Sequence, residues 1–131
     1  YARQLYSRGK QKQAEEESLE ILARIDSSMT GYEATSGRYA SFFLGQIYEM
    51  RGELDSSQHY YQRTVDFAKE AGATESGYFM YALLNLGEIA QIKGRDNEAK
   101  DYYKEVKKRA KRSTRVHEKA RENLRSLRQG T

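Results

Sequence analysis

A 42-residue internal repeat constrains the fold of this chain more than any other feature of its sequence. When residues 39–69 are compared with residues 81–111, ten of the 31 positions are identical, whereas about two are expected by chance. A repeat of this length indicates one supersecondary unit that is used more than once. The identical pairs are Tyr39/Tyr81, Ala40/Ala82, Leu44/Leu86, Gly45/Gly87, Ile47/Ile89, Gly52/Gly94, Tyr60/Tyr102, Tyr61/Tyr103, Ala68/Ala110 and Lys69/Lys111.

Each copy is predicted to form two helices that are separated by a glycine turn. Apolar residues recur three and four positions apart on both sides of Gly52, which is the spacing of a helix with one buried face. Gly52 and Gly94 favour the left-handed conformation that ends a helix. We expect Asp55 and Asp96 to cap the second helices and Thr74 to cap the helix that follows it. No sustained alternation or hairpin turn predicts a strand.

The predicted organisation is one all-α domain over residues 1–131. Its parts are a partial repeat at 1–27, two full repeats at 30–72 and 74–112, and a terminal helix at 114–128. In the partial repeat, Gly9 precedes Gly52 by 43 residues. Thr30 and Glu33 have the spacing of a capping box at the start of the first full repeat.

The terminal helix has one apolar stripe among arginines and a lysine. We expect Ser113 or Thr114 to cap it. It either covers the open end of the repeat array or begins another unit, because the ends of repeat arrays need a polar outer face. The residues of the stripe are Val116, Ala120, Leu124 and Leu127.

The two copies resemble the tetratricopeptide repeat, a helix–turn–helix unit, over residues 38–111. The resemblance rests on a Leu-Gly pair in the first helix, the turn glycine, a small residue five positions later and an aromatic residue four positions after that. The period of 42 residues resembles the long-repeat adapters of the kinesin light chain and Pins types. The resemblance implies antiparallel helix pairs stacked in a right-handed solenoid, with a capping helix at the C-terminus.

A pair of tyrosines follows each turn glycine by eight residues. We expect Gly45 and Gly87 to let the two helices of a unit approach closely, with Tyr61 and Tyr103 filling the space between them. The preceding tyrosines, Tyr60 and Tyr102, lie about 100° away around the helix and are expected to face a neighbouring unit or a groove rim.

The types of residue that usually perform catalysis form no cluster in the sequence. The two histidines, His59 and His117, are 58 residues apart, and we expect both to be exposed on helices. The three consecutive glutamates at 15–17 fan around a helix and do not converge. There is no cysteine, which excludes disulfides and thiolate metal sites. We therefore predict a protein that is not an enzyme and has no cofactor and no metal site.

The family resemblance implies a peptide-binding groove lined by the first helix of each unit. A protein or peptide partner is therefore expected, with apolar anchors and some basic character, and the protein is expected to act as an adapter or scaffold. The implied groove residues are Tyr39, Phe42, Gln46, Glu49 and Met50 in one unit, and Tyr81, Leu84, Glu88, Gln91 and Ile92 in the next.

The C-terminal quarter carries the positive charge. Residues 1–100 contain 12 Lys+Arg and 15 Asp+Glu, whereas residues 101–131 contain 11 and 4. The alternative function is therefore an anionic-surface binder that contacts nucleic acid, lipid or an acidic protein. A third hypothesis is self-association into a homo-oligomer. The predicted basic patch consists of Lys104, Lys107, Lys108, Lys111, Arg112 and Arg115.

Overall fold

The computed structural model describes residues 8–28 and 33–129, and the side chains of residues 11–25 and 37–128. All secondary structure in these residues is helical, which confirms the all-α prediction for this part of the chain. The helices are α1 (Arg8–Ser28), α2 (Glu33–Met50), α3 (Leu54–Glu70), α4 (Gly77–Ile92), α5 (Asp96–Arg109) and α6 (Arg115–Gln129). Thr30 of the expected capping box lies outside the described residues.

The helices form two compact units that divide after Gly72. In unit 1, α1 and α3 both pack against α2. In unit 2, α4 pairs with α5, and α6 packs against both of them. Each unit therefore contains one complete helix pair of the repeat and one additional helix.

The turn between paired helices has the same geometry in both units. Gly52 and Gly94 each have φ of 77°, a left-handed conformation that a residue without Cβ adopts at little cost. The amide of Glu53 donates to the carbonyl of Tyr48 at 2.9 Å. The corresponding amide of Arg95 donates to the carbonyl of Ala90 at 2.8 Å. The 42-residue sequence repeat is therefore a structural repeat as well.

A glycine and a tyrosine bring the two helices of each unit into close contact. A methyl group added at Gly45 would lie 2.6 Å from ring carbons of Tyr61, and one at Gly87 would lie 2.6 Å from a ring carbon of Tyr103. Both rings are fully buried. The Tyr61 hydroxyl donates to Glu49 at 2.7 Å, and the Tyr103 hydroxyl donates to Gln91 at 2.8 Å. The expected role of this glycine and tyrosine is confirmed in each unit.

Two pairs of residues that are buried in unit 1 differ between the copies in a compensating way. In unit 1, the hydroxyls of Ser41 and Thr64 hydrogen-bond to each other at 2.9 Å, and both residues are fully buried. The equivalent residues 42 positions later are Leu83 and Val106, which are both buried and apolar. A buried hydroxyl needs a partner, so the two positions are either both polar or both apolar.

A second compensating pair exchanges a large side chain between the two helices. In unit 1, a methyl group added at Gly37 would lie 2.7 Å from the ring of Phe67. In unit 2, the equivalent residues are Phe79 and Arg109, and the guanidinium lies 5.4 Å from the ring centroid. The aromatic ring therefore comes from α3 in one copy and from α4 in the other.

The helix caps differ from the sequence prediction at three positions. Asp55 and Asp96 lie in the first turns of α3 and α5, where their charge complements the helix dipole, and neither is the N-cap residue. The N-cap of α4 is Ser76, whose hydroxyl accepts from the amide of Phe79 at 3.2 Å. The prediction of Thr74 was wrong because the helix begins two residues later.

The glycine of the partial repeat lies in a different structural setting from the turn glycines of the two full repeats. Gly9 lies inside α1, whereas Gly52 and Gly94 lie in turns. Leu22 and Ile25 of α1 are buried in a cluster with Ala40, Leu44 and Phe67. The apolar residues of α1 thus complete the core of unit 1, although Gly9 lies in a helix and not in a turn like that of Gly52.

Hydrogen bonds between polar side chains also join α1 to Tyr48 of α2 and to Arg51, which directly follows α2. Glu15 accepts hydrogen bonds from the Tyr48 hydroxyl at 2.6 Å and from Arg51 Nη2 at 2.9 Å. Arg51 Nε donates to Gln11 at 3.2 Å. The hydrogen bonds from Arg51 and Tyr48 lower the pKa of the Glu15 carboxyl below its usual value of 4.5.

This contact predicts that acid destabilises unit 1. Because the folded-state pKa of Glu15 is depressed, its stabilisation is present above pH 4.5 and is lost as the pH falls through the lower folded value. We expect Glu15→Gln to cost about 1 kcal/mol at pH 7, since the neutral amide keeps hydrogen-bonding capacity but loses the ion pair. Urea unfolding of both proteins between pH 7 and pH 3 checks this. The two stabilities should converge in acid, and a constant difference would contradict the role of Glu15.

The terminal helix α6 follows its predicted pattern. Thr114 Oγ1 accepts from the amide of His117 at 3.3 Å, as expected for a cap. Val116, Ala120 and Leu124 of the stripe are buried, and Leu127 is half-buried. His117 is buried rather than exposed, so that prediction was wrong, whereas His59 is exposed as expected. His117 directly follows the stripe residue Val116, and α6 buries a broader face than the stripe alone.

Candidate binding surfaces

Two of the predicted groove residues belong to the core. Phe42 is 8% exposed and Leu84 is 1% exposed. The ring of Phe42 lies 5.6 Å from that of Tyr61, so it packs between the paired helices of unit 1. Both residues occupy the same position of the repeat, about 60° around the helix from Tyr39 or Tyr81 and toward the partner helix. Their prediction as exposed groove residues was wrong for that reason.

Three polar residues of the predicted groove make hydrogen bonds inside their own units. Glu49 and Gln91 accept from the buried tyrosines of α3 and α5. Glu88 accepts from Asn123 of α6 at 3.0 Å. These side chains therefore help to position the helices, and the polar character that was expected for the groove is partly used for packing.

The remaining predicted residues form an exposed face on each first helix. Tyr39 is 44% exposed and Met50 is 57% exposed, and they lie only about 20° apart around α2. On α4, the equivalent Tyr81 is half-buried and Ile92 is 66% exposed. Gln46 is half-buried between the first pair. We call these the first-helix surfaces: Tyr39, Gln46 and Met50 on α2, and Tyr81 and Ile92 on α4.

Tyr60 is a packing residue of unit 1. It is half-buried against the cluster that joins α1, α2 and α3. Its ring stacks on that of Tyr48, with the centroids 5.6 Å apart. The equivalent Tyr102 is also half-buried, and burial raises the pKa of its hydroxyl. Tyr60 therefore packs within its own unit, and its expected contact with a neighbouring unit or a groove rim stays a prediction.

The six residues of the predicted basic patch are all exposed, but the fold separates them. Lys104, Lys107 and Lys108 line a groove of about 560 Å³ between α5 and α6, which we call the α5–α6 groove. The predicted basic patch did not include the other residues of this groove, because they become neighbours only when α5 packs against α6. They are Asp96, Asn97, Lys100, Leu124, Leu127 and Arg128.

Two other members of the basic patch line a separate cavity of about 310 Å³ in unit 2. Lys111 and Arg115 lie there beside Tyr81, so the structure joins residues from two sites that were predicted independently. Met80 and Val116 provide its apolar wall. Arg112 is exposed and lines neither the cavity nor the α5–α6 groove.

Among the described side chains, at residues 11–25 and 37–128, the structure contains no group of three or more His, Asp or Glu residues that is arranged to hold a metal ion. The helices in the same part of the chain also lack the combination of length and apolar character that is needed to cross a membrane.

No family model matches this chain, and neither does any curated protein or solved structure.

Proposed function

We propose that this protein is a non-enzymatic adapter of the tetratricopeptide type, which binds segments of partner proteins through the first-helix surface of each unit. The observation that carries the proposal is the pair of Met50 and Ile92, the two most exposed of the large apolar residues in the described chain. They occupy equivalent positions of the repeat, 42 residues apart. Exposure at the same position of both copies supports a shared binding role.

The chemistry of these surfaces suits an apolar anchor. Methionine is flexible and polarizable, so it adapts to partners of different shape. On α2, Tyr39 and Met50 lie eleven residues apart, which corresponds to about 16 Å along the helix. A helical or extended segment of a partner can place one apolar side chain beside each of them. The half-buried Gln46 lies between them along the helix.

Substitution of the two exposed aliphatic residues tests this proposal. In the double variant Met50→Asp and Ile92→Asp, we expect at least about tenfold less partner protein to be captured from a lysate, because two buried carboxylates would oppose an apolar contact. The immobilised protein is compared with the variant by quantitative mass spectrometry. Both residues are more than half exposed, so the fold should tolerate the change.

The chain offers a matched control for this experiment. Leu19 and Ile21 on α1 are each 37% exposed, and Leu19→Asp with Ile21→Asp adds the same charge at a surface outside the two full repeats. Circular dichroism must show that both variants remain folded. If partners are retained by the Met50/Ile92 variant, or are lost equally from the control, the first-helix surfaces are not the binding site.

A further inference from the structure

We propose that the α5–α6 groove is a second, independent binding site that accepts an acidic amphipathic helix from a partner protein. The site differs from the first-helix surfaces in position and in charge. It lies wholly in unit 2, where a row of lysines borders two leucines. Its existence does not depend on the function proposed for Met50 and Ile92.

The shape of the groove favours apolar side chains from a narrow element. Leu124 is 6% exposed and Leu127 is half-buried, so the apolar floor lies below the surrounding lysines. The lining residues of α5 run from Asp96 to Lys108, a distance of about 18 Å along the helix. About three turns of a docked helix match this length and can insert residues at i, i+3 or i+4, and i+7.

The charge of the rim selects an acidic partner. Lys104, Lys107 and Lys108 are exposed, and no ion pair in the described part of the chain engages them. Their neighbour Arg109 is instead held by Glu105 and lies over the ring of Phe79. Lys100 and Arg128 add further positive charge, and Asp96 is the acidic residue of the lining. Carboxylates on both sides of an apolar stripe would face this rim.

Nucleic acid and membrane surfaces fit the groove less well. Its lining contains no aromatic residue on which a base could stack. A phosphate backbone would satisfy the lysines but would leave Leu124 and Leu127 uncovered. A lipid headgroup surface is broad, whereas these leucines lie at the bottom of a groove, so the lysines would contact it first.

The described helices of a second copy offer no acidic helix with an exposed apolar stripe. Helices α2 and α4 expose Tyr39, Met50 and Ile92, but they contain only two and one acidic residues, respectively. The exposed large apolar residues of α1, Leu19 and Ile21, are separated by about 200° around the helix and form no stripe. On α3, no large apolar residue is exposed, so that helix offers no apolar stripe either. The occupant is therefore assigned to another protein.

A labelled synthetic peptide of about 20 residues tests the site, with leucines at helical i, i+3 and i+4 spacing and glutamates on both sides. Its binding to the full chain is measured by fluorescence anisotropy. The test variant is Lys104→Glu, Lys107→Glu and Lys108→Glu, and we expect it to weaken binding by at least about tenfold. The control variant is Lys111→Glu, Arg112→Glu and Arg115→Glu, which makes the same change in net charge outside the groove and should weaken binding by less than about threefold.

Further arms test the apolar floor and the independence of the site. Leu127→Gln should weaken peptide binding by about tenfold, whereas a peptide of the same composition without a leucine stripe should bind poorly even to the unaltered protein. The variant with Met50→Asp and Ile92→Asp should bind the peptide as the unaltered protein does. Loss of partner capture in that variant with retained peptide binding thus separates the two proposals.

The proposal is overturned if the striped and unstriped peptides bind equally, or if the two charge-reversed variants lose binding equally. It is also overturned if the peptide does not bind while an RNA oligonucleotide or phosphatidylserine vesicles bind through Lys104, Lys107 and Lys108. Light scattering provides the last arm. A dimer that the groove variant dissociates would assign the groove to a second copy and overturn the partner-protein proposal.

Discussion

Replacing Tyr61 or Tyr103 by alanine should destabilise its unit by about 3–5 kcal/mol, the largest effect that we expect from a single substitution in this chain. Each ring is fully buried between paired helices and lies against a glycine of the opposite helix. Removing the ring leaves a cavity and also leaves the side chain of Glu49 or Gln91 without its hydroxyl donor. Phenylalanine at either position should cost only about 1 kcal/mol, because it retains the ring.

Urea unfolding followed by circular dichroism measures these losses. The chain has two compact units, so a variant of one unit is expected to separate the unfolding transition into two steps when the other unit remains stable. Tyr39→Ala is the control, because this tyrosine is 44% exposed and should cost less than about 1 kcal/mol. A loss at Tyr61 that is no greater than at Tyr39 would disprove the packing role of the repeated tyrosine.

The second large effect is expected from adding a single methyl group to a glycine. Gly45→Ala or Gly87→Ala should cost about 1–3 kcal/mol, since the new Cβ would lie 2.6 Å from a tyrosine ring that has no room to move. Leucine at position 45 should cost more, because its side chain needs the volume that the ring of Tyr61 already fills. Thermal and urea unfolding of each variant provide the measurement.

Gly77→Ala is the matched control for these substitutions. Gly77 is the first residue of α4, and nothing lies within 4 Å of a methyl group added there. Because alanine favours the helix over glycine, this variant should have the same stability or gain up to about 1 kcal/mol. Equal losses at Gly45 and Gly77 would show that the effect arises from backbone conformation rather than from close helix packing.

The exposed surfaces of the repeat illustrate where pattern alone was insufficient. The family resemblance implied that Phe42 and Leu84 line a groove, whereas the structure buries both side chains in the core. Phe42 and Leu84 lie on the side of the helix that meets the partner helix, and the position of that partner sets their burial. On α2, Phe42 is therefore a core residue, whereas Tyr39 and Met50 on the neighbouring side of the helix are exposed.

Residue spacing along the chain was enough to predict the helical class, the 42-residue repeat and the equivalent roles of Gly45 with Tyr61 and Gly87 with Tyr103. These features depend on helical spacing and on short-range geometry, and residues close in the sequence fix both. These features could be predicted because a residue that recurs in both copies must have a role that fits both sequences.

The tertiary structure alone decided which residues share a surface. It separated the basic patch into two groups, joined Lys111 and Arg115 to Tyr81, and placed Leu124 and Leu127 beside Lys104. It also buried His117. These outcomes depend on the angle and distance at which α6 packs against α4 and α5, which the spacing of residues within one helix does not specify.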